Sequence, residues 1–213
     1  MPLAEVIDLH QPVPTLSEKV AQLLQNGAII AYPTDTIYGL GCDALNAEAV
    51  RRLLALKGRP SGKPISVLYA SVEHLLSNFP NLNSFQIAVV KRLLPGKITI
   101  ILPLALPEQF PAEIVATGSV GVRVIDLPPL LPILRNYPHP ITTTSVNPAG
   151  QPPANTVSEI LSYFGDQISL ILDYGKSHAR QPSTVIRLME REFAVEREGA
   201  VPINLIKERL AQL

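Results

Sequence analysis

Apolar positions recur along the chain with two spacings, one helical and one alternating. Leu16, Val20, Leu23 and Leu24 follow the helical spacing. Thr15-x-x-Glu18 before them reads as a capping box, and Gly27 fits the stop. The same spacing predicts a helix over about 46–57, with Val50, Leu53 and Leu54 on one face and Gly58 ending it. A third helix is predicted over about 84–94, stopped by Pro95-Gly96, and a fourth follows the capping box Thr156-x-x-Glu159. Between the helices lie short runs rich in Ile, Val, Leu and Thr: 28–32, 65–69, 98–102, 120–124, 141–144, 170–172, 183–188 and 193–197. Such runs fit strands buried on both faces. The last two read as a hairpin, so the sheet is expected to be mixed. Segment 128–140, with five prolines, allows one or two helical turns. Strands interleaved with helices predict an α/β layered fold. No linker divides the chain, so one domain over 1–213 is expected, with its core over about 13–201.

Composition narrows the class. The 213 residues are 46% hydrophobic, yet no run approaches the ~20 apolar residues of a membrane helix. The best candidate, 98–106, is short and holds Thr99 and Pro103. The start, MPLAEVIDLHQ, lacks the basic and apolar regions of a signal peptide. Cys42 is the single cysteine, which excludes an intramolecular disulfide. A cytoplasmic protein with no membrane partner is the expectation. Net charge is zero, but its distribution is uneven. Between Ala49 and Pro107, Glu73 is the one acid against Arg51, Arg52, Lys57, Arg59, Lys63, Lys91, Arg92 and Lys97. A field of this kind focuses anions into a cleft. Arg51, Arg52, Lys91 and Arg92 read as solvated helix faces.

Three segments offer chemistry. Residues 32–41, YPTDTIYGLG, read as a loop of hydroxyls, a carboxylate and glycines following a strand. An ordinary turn would use the same residue types. Gly39-x-Gly41-x-x-Ala44 mimics a dinucleotide fingerprint, but residues beginning with Pro33 separate it from the strand and no acid occurs over 49–72. In the second segment, Lys57, Arg59 and Lys63 stand at a predicted helix end in a stretch broken by Gly and Pro. Lys57 alone would complement the helix dipole, whereas the three together suit an oxyanion clamp. The third segment runs from Thr142 to Gly150, with Ser145 and Asn147 on one side of a strand end. Arg123 lies within an apolar strand, where a cation needs a carboxylate or a bound anion. Ser183 and Arg197 are lesser candidates, Arg197 fitting cross-strand pairing equally well. His10, His74, His139 and His178 share no ligand spacing, so no resident metal site is expected. Cys42 reads as a small buried hydrophobe.

Taken in order from Pro33 to Val201, the segments PTDTIYGLGCDA, KGRPSGKP, PGKITIIL, VGVRV, TTSVNPAG, PSTV and EREGAV resemble the YrdC-like domain family, best known for threonylcarbamoyl-AMP synthases. The resemblance implies a single-domain twisted mixed sheet with flanking helices and a basic concave cleft. The second C-terminal domain of longer members is not expected. It also implies a nucleotidyltransferase reaction joining L-threonine, bicarbonate or CO2 and ATP, with release of pyrophosphate, for threonylcarbamoyl modification of tRNA. By similarity, Thr36, Arg123, Thr143 and Ser183 would hold threonine. Lys57, Arg59, Lys63, Ser119, Ser145, Asn147 and Arg197 would hold ATP with Mg²⁺, and Lys57 and Arg59 would be catalytic. Downstream tRNA-modifying proteins would receive the adenylate. Lys97, Val146, Ile125 and Pro153 depart from the usual motifs, and Lys97 is similar to the YciO-like branch. The alternatives are therefore a YciO-like paralogue or a factor that binds double-stranded RNA or the ribosome through the same cleft.

Overall fold

The computed structural model describes residues 3–58, 65–105, 107–115, 117–177, 181–211 and 213. Ten strands form among them: β1 (Glu5–Asp8), β2 (Ile30–Tyr32), β3 (Gly39–Gly41), β4 (Ser66–Tyr69), β5 (Ile98–Pro103), β6 (Ser119–Val124), β7 (Ile141–Ser145), β8 (Leu170–Asp173), β9 (Thr184–Leu188) and β10 (Phe193–Arg197). They join edge to edge in the order β1-β8-β2-β3-β7-β4-β6-β5-β9-β10. The β4–β6 and β5–β9 pairs are parallel, while β3–β7, β4–β7, β5–β6 and the β9–β10 hairpin are antiparallel. The sheet is mixed, as the closing hairpin required. Seven helices accompany it: α1 (Leu16–Gln25), α2 (Ala47–Lys57), α3 (Val72–Ser77), α4 (Ser84–Leu93), α5 (Leu131–Arg135), α6 (Val157–Phe164) and α7 (Ile203–Leu210). None is long and apolar enough to cross a membrane.

Successive strand residues point to opposite faces, and the buried residues divide accordingly. Ala31, Val67, Tyr69 and Ile171 join one core with Leu53 of α2, Val89 of α4 and Ile160 of α6. Their strand neighbours Ile30, Tyr32, Leu68, Leu170 and Leu172 join a second core with Val20 of α1 and Ile133 of α5. The helices α1 and α5 cover this second face only in part. Leu68 and Ile141 lie beneath them, whereas Ser66 and Thr143, two residues along the same strands, line an open cavity. The uncovered part of that face is where the polar residues gather.

Two local expectations are corrected. Thr15 does not cap α1. It stands at φ 63° and its hydroxyl donates to the Pro14 carbonyl at 2.6 Å, so the box with Glu18 does not form. The second box forms as read, with Thr156 and Glu159 each meeting the other's backbone N–H. Residues 39–41, read as loop, are strand β3. Its glycines carry no strand propensity, but the Tyr32 ring lies against them and its hydroxyl donates to the Thr142 carbonyl at 2.8 Å. A Cβ on Gly41 would lie 2.2 Å from that carbonyl oxygen, closer than any side chain tolerates. Cys42, the next residue, is fully buried, and burial pushes its thiol up to about 12.

Two outcomes follow from this packing. Gly41→Ala should lose about 1–3 kcal/mol of stability, because β3 must part from β7 to admit the methyl group; urea unfolding measures it. Cys42 should resist iodoacetamide at pH 8 in the native protein and react fully once unfolded, as mass spectrometry would report.

Candidate functional site

The cavity of about 300 Å³ opens on the second sheet face, lined by β3 to β7, β9, β10 and the β2–β3 loop. Strand β6 explains how a sheet can be apolar on one side and polar here. Val120, Val122 and Val124 face the core, while Ser119, Gly121 and Arg123 line the cavity. Gly121 keeps the floor clear, since a Cβ there would come within 2.6 Å of Ser66 Oγ. On β5, Thr99 and Ile101 turn to the same side.

Seven of the predicted residues converge on this one space: Thr36, Ser119, Arg123, Thr143, Ser145, Ser183 and Arg197. The β2–β3 loop is stiffened from within. Thr34 Oγ1 accepts from Thr36 N at 3.0 Å and donates to the Ile37 carbonyl at 2.6 Å. Ser177 Oγ donates to the Thr36 carbonyl at 2.7 Å. Ser183 Oγ and Thr99 Oγ1 share a hydrogen bond of 2.7 Å. Arg197 donates from Nη2 to the Ser183 carbonyl at 2.8 Å, and not to a cross-strand carboxylate.

Charge is arranged unevenly around the cavity. Arg123 is buried, and its Nη2 donates to Asp35 Oδ1 at 2.5 Å. Desolvation pushes the Asp35 carboxyl above its ordinary range even though Arg123 and Lys97 pull it down. Desolvation, helped by the like charge of Arg123, lowers the Arg197 guanidinium from its usual value. Arg187, absent from the sequence-based candidates, also lines the cavity; it donates to Glu196 Oε1 at 2.6 Å and to Ser119 Oγ at 3.1 Å. The cavity therefore has cationic and hydroxyl walls that suit an anion with a small polar group.

Lys57 and Asn147 stand beside the cavity, outside its lining. Lys57, the last residue of α2, is buried, and its ammonium donates to the carbonyls of Ser145 and Asn147, the latter at 2.7 Å. Ser145 Oγ in turn donates to Asn147 Oδ1 at 2.5 Å. The two elements of the 142–150 segment are thus tied down by the lysine expected to hold phosphate. Arg59 and Lys63 lie outside the described residues. Sequence reasoning missed Thr34, Ser66, Thr99 and Arg187. The alternation of β6, small or charged on one side and valine on the other, was the signal that extends to β4, β5 and β9.

Lys57→Met should loosen the loop that it anchors. Losing charge-assisted bonds worth about 2 kcal/mol should speed amide exchange at Asn147 and Ala149 roughly 30-fold, leaving β6 unchanged. Exchange at those amides within threefold of wild type would refute the anchoring role.

Comparison with known proteins is consistent with this architecture. The Sua5/YciO/YrdC family profile, described as "Telomere recombination", matches residues 22–199. A protein of Photobacterium profundum named threonylcarbamoyl-AMP synthase is 35% identical over 172 residues, covering 80% of this chain and 92% of its own length. One of the same name from Pseudomonas aeruginosa is 37% identical over 166 residues, 78% of this chain and 88% of the relative. Among solved structures, P. abyssi Sua5 complexed with L-threonine superposes with a TM-score of 0.86 at 28% identity, covering 99% of this chain. This chain spans only 61% of that longer Sua5 chain. E. coli YciO superposes with a TM-score of 0.82 at 25% identity, covering 95% of this chain and 98% of its own. By the matched profile and by relatives that it aligns with over most of their length, the chain belongs to the Sua5/YciO/YrdC family.

Proposed function

We propose that the chain is an L-threonylcarbamoyladenylate synthase, a nucleotidyltransferase acting in the cytoplasm toward threonylcarbamoyl modification of tRNA. The observation that carries this reading is the convergence of Thr36, Ser119, Arg123, Thr143, Ser145, Ser183 and Arg197 on one cavity. Relatives of about 35% identity bear the synthase name, and a structural neighbour was solved with L-threonine.

In this reading Arg123 receives the threonine carboxylate, and Thr36, Thr143 and Ser183 supply hydroxyls for its polar groups. Arg197, Ser119 and Ser145 hold ATP with Arg59 and Lys63, while Lys57 and Asn147, expected from the resemblance to hold it too, act by fixing the turn that carries Ser145. The overall reaction balances as L-threonine, bicarbonate and ATP giving threonylcarbamoyl-adenylate, pyrophosphate and water. The threonine amine forms a carbamate, whose oxygen attacks the α-phosphorus as the bond to pyrophosphate breaks. Nothing in it needs a protein nucleophile; alignment and compensation of phosphate charge supply the acceleration. The described residues contain no group of three or more His, Cys, Asp or Glu suited to a metal. In this reading Mg²⁺ arrives with the triphosphate as part of the substrate, held by its phosphates, because the cavity lining offers hydroxyls and guanidinium groups and no carboxylate among the described residues. The unstable adenylate would then pass to tRNA-modifying proteins.

The likeness to YciO and the cation at Lys97 give a second reading, a paralogue that binds nucleotide without using threonine. One assay separates the two. Purified protein with ATP, Mg²⁺, bicarbonate and radiolabelled L-threonine should release pyrophosphate and yield a labelled adenylate, with omission of any one substrate abolishing both. Nucleotide binding with no threonine-dependent product would favour the paralogue. Binding confined to RNA, with a steep salt slope from released counterions, would favour the RNA factor. In the same assay, Arg59→Ala should lower kcat/KM roughly 30-fold, the loss of about 2 kcal/mol from a charge-assisted contact. A fall of less than threefold would remove Arg59 from the site.

A further inference from the structure

Asp35 stands out because it touches the cavity's central cation yet is absent from the cavity wall. Its side chain is 10% exposed and that of Arg123 7%, so the ion pair is sheltered. Among the described residues, Asp35 is the one carboxylate within ion-pair distance of Arg123. The pair is joined through Nη2 and Oδ1, and Arg123 Nε is buried with no hydrogen-bond partner. A guanidinium has five N–H donors, so this protein leaves Arg123 only partly satisfied.

The backbone gives Asp35 little choice of position. Thr34 and Thr36, its chain neighbours, are locked to each other through the Thr36 N–H and their paired hydroxyls, the latter at 3.0 Å. Ser177 holds the loop from the other side through the Thr36 carbonyl. A carboxylate on so tied a support sets the direction of the Arg123 Nη2 group that it accepts from. Arg197 repels Arg123, and without Asp35 that repulsion would be uncompensated.

We propose that Asp35 is the positioning residue of the amino-acid carboxylate subsite: it holds Arg123 from outside the cavity so that the guanidinium presents its remaining donors to a ligand carboxylate. This rests on the synthase reading, in which Arg123 receives that carboxylate. Asp35 does not touch the substrate. It acts through Arg123, so its loss should weaken ligands in proportion to whether they carry a carboxylate.

Calorimetric titration with L-threonine, L-threonine amide and ATP tests this on the wild type, Asp35→Asn and Asp35→Glu. Asp35→Asn should weaken threonine at least tenfold while changing the amide and ATP less than twofold. Equal weakening of threonine and its amide would show a merely structural role and overturn the proposal, as would unchanged threonine affinity. Should Asp35→Asn fail to fold, Asp35→Glu keeps the charge and displaces it by one methylene. The same split between threonine and amide is expected there, and equal weakening again overturns the proposal. Wild-type protein that binds no threonine overturns the synthase reading and this inference with it. Failure of the inference alone looks different, with threonine bound by the wild type and equally well by the variant.

Discussion

A guanidinium buried in the middle of a ten-stranded sheet is the constraint around which this molecule is built. Taking a cation out of water costs several kcal/mol unless a carboxylate compensates it. Arg123 meets that condition through Asp35, which comes from the loop between β2 and β3. That loop follows a strand half the sheet away in sequence, so the ion pair joins two distant parts of the chain. Holding it requires the β2–β3 loop to be rigid, and its threonine hydroxyls supply the rigidity. The charge needed for an anionic ligand and the order of the site therefore have one origin.

Space is the second requirement, and small residues provide it. Gly121 and Ser119 keep the β6 floor low beside Arg123, while valines at the intervening positions fill the core behind. Strand β3 approaches β7 so closely that Gly41 has no room for a side chain. That approach brings the Thr36 loop alongside Thr143 and Ser145. At the far side, Lys57 ties the helix α2 terminus to the 145–147 turn. Packing, hydrogen bonding and charge thus each fix a different part of the same site.

Most helices and strands were legible because their apolar spacing is strong, as in 46–57 and 120–124. Helices α3 (Val72–Ser77) and α7 (Ile203–Leu210) were not read, and two strands that escaped have weak local signals. Strand β3 is Gly-Leu-Gly, and β1 (Glu5–Asp8) is an edge with mostly exposed residues. Thr15 shows the limit of a motif: its hydroxyl is taken by the neighbouring Pro14 carbonyl, a choice that spacing cannot reveal. Of the site, the hydroxyls and cations were readable as residue types in loops and strand ends. Asp35 was visible only as part of a turn-like run, since its partner lies 88 residues away. Arg187 was hidden because its strand reads as purely structural until the sheet order brings it beside Ser119.

The central claim is that one cavity, organised by Arg123, receives both threonine and nucleotide. A crystal structure grown with L-threonine and a non-hydrolysable ATP analogue tests it most directly. The account predicts the threonine carboxylate within hydrogen-bond distance of Arg123, and the phosphates between Arg197, Ser119 and the 145–147 turn. Threonine bound away from Arg123, or a nucleotide seated outside the cavity, would contradict it.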